Sequence, residues 1–454
     1  NVPLDLSIDA LAWNGVDENT TNPLFEKLEF KTLKDRMKPI LLKGSVKPVE
    51  PEFELFATEI VEGVLTPEEA SAKIAQHSGD IAIAYQLEDE KLHRYAIALT
   101  IDDVFLVHGS TMGDWATDSK VTKIAHDAKS LARTNGLTGI TFDTALAAYL
   151  VNPGVRSQEL KDIQERWGDG TAINQSSPEQ ELLTSSRAMF VLRDSLTREL
   201  KERNLWELFM TMELPVADLL GRMESIGIAV DKKGLDELAA FFEGEVSRET
   251  KAAHDAVGHE FNVASPKQLQ VVLFDELKLP KTKKIKTGYT TDAESLDWLH
   301  QKSGHPVLTS LLRIRETKKL GTTVEGLIAE IAKDGRIHTH FQQTVAATGR
   351  LSSTGPNLQN IPVRTEEGRR IRNCFTVGKG YVALLTADYS QIEMRIMAHL
   401  SHDEKLLAAF ASGEDLHATV AGLVFGVKPS EVDPEMRRQM KAMSYGLAYG
   451  LSSY

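Results

Sequence analysis

The sequence contains one cysteine, Cys374. No internal disulfide can brace such a chain, and a reducing cytoplasm is the expected setting. A single thiol of this kind reads as packing. No run of 18 or more apolar residues occurs, so no membrane-spanning helix and no membrane partner are expected. The start carries no signal-peptide pattern, and there is neither an internal repeat nor a low-complexity tract. Cations are in deficit: 52 Lys and Arg stand against 65 Asp and Glu, a net charge of −13. Taken alone, that balance argues against a partner rich in phosphate, because phosphate contacts need cations.

What is present changes that reading. At 454 residues, 42% hydrophobic and 26% charged, the chain has the composition of a soluble globular protein of two to four domains. Its cations are clustered. Lys278, Lys281, Lys283, Lys284 and Lys286 fall in nine residues without an acid; Arg313, Arg315, Lys318 and Lys319 form a second group, and Arg364, Arg369, Arg370 and Arg372 a third. Each cluster alone could be solvated surface. Three of them in the second half of an acidic chain suggest basic stripes that meet a polyanion.

The first 25 residues read as a tail, and Ser45–Phe53, with two prolines, as a linker. From about 54 to 205 the pattern is α/β. Strand-like runs occur at 79–85, 95–101, 104–108 and 139–142, with a turn through Glu88–Glu90 and a helix around Lys129–Leu131. Residues 206–335 are helical. Apolar residues recur at helical spacing over 208–223 and 235–257, and Ser265–Pro266 marks a helix start. The 278–286 lysines fall in a loop between helices. Beyond 336 the pattern is mixed: an alternating run over 337–344, an apolar strand from Tyr381 ending on Asp388, a helix over 390–400, and further helices joined by short turns.

Three motifs carry chemistry. Arg437, Lys441 and Tyr445 stand four residues apart, and steps of four form one stripe on a helix. Two cations and an aromatic ring on one stripe suit a nucleoside triphosphate. Asp388, at the end of its strand, could bind a divalent cation or cap the following helix; Gln391 and Glu393 lie about one turn into that helix. The run Thr348–Pro362 (T-G-R-L-S-S-T-G-P-N-L-Q-N-I-P) holds two glycines, two prolines and many hydrogen-bonding side chains. It is either a long structural turn or a surface whose Arg350, Asn357 and Gln359 meet base edges and sugar-phosphate oxygens. His338 and His340 share one face of their run, either packed or solvated, and metal binding by the pair is not expected.

These motifs, in this order, resemble the A-family DNA polymerases of the bacterial DNA polymerase I type: T-G-R-L-S-S-x-x-P-N-L-Q-N-I-P, then D-Y-S-Q-I-E-x-R, then R-x-x-x-K-x-x-x-Y-G-x-x-Y-G. The resemblance covers nearly the whole chain. It implies a mixed α/β multidomain fold. Residues 1–53 would be the tail of a 5′-nuclease domain plus a linker, and 54–205 an RNase H-like exonuclease-type α/β domain. The helical thumb would span 206–335, the first part of a palm with an antiparallel sheet 336–402, and part of the helical fingers 403–454. The implied activity is template-directed addition of deoxynucleotides to a primer 3′ end, in repair and replication gap filling, by a cytoplasmic, nucleoid-associated monomer.

The resemblance also assigns roles. Asp388, with the Tyr389 carbonyl, would hold magnesium in a two-ion site. Glu393 would exclude a 2′-hydroxyl, and Gln391 would place the nucleotide or primer end. His417, Arg437 and Lys441 would grip the triphosphate, with Lys441 also the general acid for pyrophosphate. Arg364 would lie near the incoming nucleotide or template. Arg350, Asn357 and Gln359 would read minor-groove acceptors, which are shared by all base pairs. Tyr449 would stack near the templating base, and Lys281, Lys283, Lys284 and Lys286 would grip duplex phosphates.

The chain departs from the pattern in two places. Where a proofreading site needs acids, it has Ala84-Tyr85-Gln86, Leu131 and Arg187, with Asp143 alone, so no proofreading and a structural role for this domain are expected. Tyr445 stands where many relatives carry Phe; its hydroxyl would replace the bond usually made by the nucleotide's 3′-hydroxyl and so admit dideoxynucleotides. A second palm carboxylate is not found after the Tyr445 stripe. The competing reading is therefore a fragment that binds primer-template without catalysing; a nuclease is a third, weakened by the missing acids.

Overall fold

The computed structural model describes residues 63–451, apart from 156, 169–172, 174–176, 364 and 414. The expectations for residues 1–53 and for Arg364 lie outside the described residues. The chain divides into two compact units, one up to Gly378 and one from Lys379.

The first unit is built around a six-stranded sheet. Its elements are β1 (Val64–Leu65), α1 (Pro67–Ile74), β2 (Ile81–Glu88), β3 (Lys91–Ala98), β4 (Val104–His108), β5 (Lys123–Ala125), α2 (Ala128–Asn135), β6 (Ile140–Asp143), α3 (Thr144–Val151), α4 (Leu160–Trp167) and α5 (Pro178–Glu202). The strand order is β1-β4-β3-β2-β5-β6. The β2–β3 hairpin turns through Asp89 and Glu90, both at positive φ (47° and 61°), the backbone that a two-residue hairpin needs. Alternation along β2 sorts its side chains into two cores. Ala82 and Ala84 face the layer of α3 and α5, with Leu146, Met189, Leu192 and Leu196. Ile81 and Ile83 face the layer of α1 and α2, with Ala70, Ile74 and Leu131. Alanines at the same level on β2 and β3 let the long α5 approach the sheet closely. Lys123 is fully buried in β5; its Nζ donates to the carbonyls of Asp118 (2.8 Å) and Val121 (2.6 Å). Burial pulls its pKa down to about 8.

Next come α6 (Leu214–Ile226), β7 (Ile228–Ala229), α7 (Lys232–Val257), α8 (Pro266–Gln270), β8 (Lys284–Ile285), β9 (Gly288–Tyr289), α9 (Ala293–Ser303), α10 (Pro306–Ala329), β10 (Arg336–Ile337), β11 (His340–Gln342), β12 (Ser352–Thr354) and α11 (Glu366–Asn373). The long α7 and α10 pack along one another through Leu235, Leu238 and Phe242 against Leu320, Val324 and Leu327, the spacing of one helix face. Cys374 joins this core, and burial pushes its thiol up. At the other end Ala253, Leu269, Leu273, Leu296, Leu311 and Ile314 make a separate core. The alternating run over 337–344 divides: Arg336–Ile337 pairs with β7, and His340–Gln342 pairs with β12.

The second unit holds α12 (Ile392–Ser401), α13 (Glu404–Ser412), α14 (Leu416–Phe425) and α15 (Pro434–Ala448). Asp403, Asp415 and Asp433 cap three of these helices with their side chains, and Gly413 and Gly426 end two of them in the left-handed region. The strand expected over Tyr381–Asp388 is corrected here. No strand pairs with this segment among the described residues, and Val382 and Leu385 are almost fully exposed. An apolar run becomes a strand only where a neighbour takes up its backbone hydrogen bonds.

Candidate nucleotide-binding site

The second unit brings most of the expected nucleotide residues onto α12, α14 and α15. Asp415 works with both carboxylate oxygens. Its Oδ1 accepts from the amides of His417 (3.0 Å) and Ala418 (3.3 Å), which starts α14. Its Oδ2 accepts from Arg437 Nε at 2.6 Å, tying the first turn of α15 to the start of α14. Burial works against the Asp415 charge, but the Arg437 hydrogen bond and the two amides outweigh it and hold the carboxyl below its usual range.

His417 is buried, and neither ring nitrogen has a hydrogen-bond partner among the described residues. Burial lowers its pKa; Asp415 opposes the shift, and Arg437 and Lys441 add to it. The imidazole is therefore neutral at pH 7, with one donor and one acceptor to offer. Its ring centroid lies 5.7 Å from that of Tyr445. One cluster thus holds His417, Arg437, Lys441 and Tyr445.

The Tyr445 pKa is raised first by burial, with Glu393, Tyr449 and Asp388 adding to the shift. Glu393 sits exposed in the first turn of α12. Gln391, at positive φ (55°), begins that helix without a side-chain cap. Asp388 and Tyr389 are exposed in the segment leading in, and Asp388 caps no helix, since Gln391 holds that position. Tyr449 closes α15, its amide donating to the Tyr445 carbonyl (3.0 Å).

The resemblance to the A-family polymerases implies a divalent metal. The hard oxygen donors Asp388 carboxylate and Tyr389 carbonyl suit magnesium, which takes one or two carboxylates and leaves other positions to phosphate and water. No group of three or more His, Cys, Asp or Glu that could hold a metal occurs among the described residues.

In the first unit, the polar loop spends side chains on its own geometry. Asn357 Oδ1 accepts from the Gln359 amide (3.0 Å), and Gln359 Nε2 donates to the Leu351 carbonyl (3.0 Å). Arg350 is exposed. Lys281, Lys283, Lys284 and Lys286 stand exposed on and beside the β8–β9 hairpin, with Lys281 Nζ 5.0 Å from the centre of the Tyr289 ring. His338 donates Nδ1 to the Glu224 carbonyl (2.8 Å) and meets Asp334 through Nε2 (3.1 Å). His340 lies between Glu90 and Glu224.

A cavity of about 850 Å³ opens beside Ala84, Tyr85, Gln86, His126, Asp127 and Asp143. Sequence reasoning placed no pocket there, although Ala84 and Gln86 are two of the positions where acids were expected. Asp143 accepts from four amides, those of Ala128 (2.7 Å), Ala145 (2.8 Å), Leu146 (3.2 Å) and Asp127 (3.3 Å). It is a buried structural cap of α3.

Comparison with known proteins decides the family. The model of DNA polymerase family A matches residues 232–454, and that of the DNA polymerase I ribonuclease H-like domain matches residues 86–175. The polymerase domain of Pol1 from M. smegmatis, solved in complex with DNA primer-template and dNTP, superimposes with a TM-score of 0.79 at 47% identity, over 87% of this chain and 72% of that one. The chain belongs to DNA polymerase family A. As a family A chain it is also similar to DNA polymerase I of Mycobacterium tuberculosis (44% identical) and of Bacillus subtilis (33%), each over 100% of this chain and 54% of the relative. The chain spans about half the length of the curated relatives it matches. No helix among the described residues is long and apolar enough to cross a membrane.

Proposed function

We propose that this family A chain carries out template-directed addition of deoxynucleotides to a primer 3′ end, in DNA replication and repair, as a cytoplasmic, nucleoid-associated monomer. The observation that carries the reading is the cluster of neutral, buried His417 with Arg437, Lys441 and Tyr445. Arg437 and Lys441 supply positive charge to an incoming triphosphate, and His417 offers a neutral donor to the same anion. Lys441 is placed to give a proton to the departing pyrophosphate. Tyr445 stacks on the nucleotide and presents its hydroxyl toward the sugar, where Glu393 leaves no room for a 2′-hydroxyl; Gln391 steadies the primer end, and Tyr449 lies beside the templating base. Arg350, Asn357, Gln359 and the hairpin lysines hold primer-template DNA. Asp388 and the Tyr389 carbonyl would hold magnesium, which when bound lowers the charge barrier to phosphoryl transfer. Ala84, Gln86 and the fully engaged Asp143 support a domain that does not proofread.

A second reading rests on one observation: no group of three or more His, Cys, Asp or Glu that could hold a metal occurs among the described residues. In that reading the chain binds primer-template without turnover. Primer extension with magnesium and four deoxynucleotides, run beside a gel shift on the same duplex, separates the two. Extension that is lost in Lys441→Ala supports polymerisation. A shifted duplex without extension supports the second reading, and neither shift nor extension contradicts both.

A further inference from the structure

Resting on that reading of the site, we propose that Asp415 is a positioning residue for nucleotide capture: it fixes the Arg437 guanidinium through Nε, so that the Nη donors face the triphosphate. The capping oxygen and the oxygen that holds Arg437 belong to one carboxylate, so the start of α14 and the first turn of α15 are set by the same group. His417, two residues after Asp415, and Tyr445, two turns after Arg437, meet ring to ring. The two helices therefore present donors from both sides, and Asp415 fixes their relation at the end where the cations lie.

The geometry favours orientation over blockade. The contact engages Nε, and a guanidinium held there keeps its two Nη groups for a pair of phosphate oxygens. A flexible arginine must lose rotamer freedom when it grips phosphate. One already held by a carboxylate has lost part of that freedom beforehand, which lowers the cost of binding. Asp415 brings negative charge toward a triphosphate, but that charge is spread over Arg437 Nε and two amides. Both its oxygens are engaged by Arg437 and the two amides, so it acts through Arg437.

The test measures binding of the next correct dNTP, for example dTTP opposite a templating dA, to the chain on a dideoxy-terminated primer-template with magnesium. Such a primer has no nucleophile, so turnover is not required. Asp415→Ser keeps a good helix cap but cannot reach Arg437; Asp415→Asn keeps the cap and a neutral hydrogen bond. Nucleotide Kd is expected to rise roughly five- to tenfold in Asp415→Ser and less in Asp415→Asn, with primer-template Kd unchanged. In an Arg437→Ala background, Asp415→Ser should add nothing further. Tighter nucleotide binding in Asp415→Asn, or a full additional loss in the double variant, overturns the proposal while leaving the polymerase reading intact. Wild-type chain that binds the duplex but no dNTP overturns both.

Discussion

Glu224, on α6, is the carboxylate on which the largest stability change should fall. Its side chain is fully buried, and it meets Lys129 Nζ at 2.5 Å and Arg133 Nε at 3.5 Å, both on α2. Its Oε1 also accepts from the Phe341 amide at 2.7 Å. Both cations are only about a tenth exposed (11%). Arg133 has a second acid in Glu90 (3.0 Å) at the tip of the β2–β3 hairpin, whereas Lys129 shows no other acid within ion-pairing distance among the described contacts. Glu224→Ala leaves a buried ammonium uncompensated and an amide without its acceptor. Breaking such a pair on one side costs about 3–5 kcal/mol, and the lost amide bond, about 1 kcal/mol by itself, is contained in that range because the terms do not add. Adding Lys129→Met should recover most of the loss, since removing both charges of a buried pair is often close to neutral. A multidomain chain need not unfold in one step. Urea unfolding should therefore be paired with amide hydrogen exchange in α2 and α6, where the opening free energy should fall first. A loss below about 1 kcal/mol in Glu224→Ala, or no recovery in the double variant, refutes the reasoning.

Three further outcomes are expected. Lys123 has a folded pKa of about 8, below the unfolded value of about 10.4; the unfolded chain binds more protons between these values, so this group makes stability rise with pH across that window, and Lys123→Met should flatten the rise in unfolding curves taken at pH 8, 9 and 10. His417 is likewise lowered by burial, so its contribution is intact above the unfolded value of about 6.5 and is lost as pH falls from there through the lower folded value; its ring resonances should titrate below those of an exposed histidine, and a normal titration would contradict the neutral ring. Tyr445→Phe should raise discrimination against dideoxynucleotides by roughly tenfold or more, on the order of one lost hydrogen bond to a reacting group; unchanged chain termination would remove the hydroxyl from the account.

Much of the second unit was legible because its signals are local. Helices joined by short turns were read there, and the four-residue spacing of Arg437, Lys441 and Tyr445 survives directly as a helix face. The β2–β3 hairpin was readable for the same reason, since its turn is made by adjacent residues. What was missed depends on distant partners. Glu224 meets residues 95 and 117 positions away, and nothing in the pattern of α6 distinguishes it from a surface acid. The Tyr381–Asp388 run has strand composition, but composition does not supply a pairing partner. The polar loop left two readings open, a structural turn or a surface for DNA, and its sequence does not show that Asn357 and Gln359 bond their own backbone. The cavity beside Ala84 and Gln86 is made by elements from 84 to 344, and only the resemblance pointed to its wall.

The central claim is that the α15 face grips a nucleoside triphosphate. The most direct measurement is the Kd for the next correct dNTP on a dideoxy-terminated primer-template, comparing wild type with Lys441→Ala. The account predicts a loss of roughly tenfold or more in Lys441→Ala, the scale of a charge-assisted contact to phosphate, with primer-template affinity held. Equal nucleotide affinity in the two proteins would contradict it.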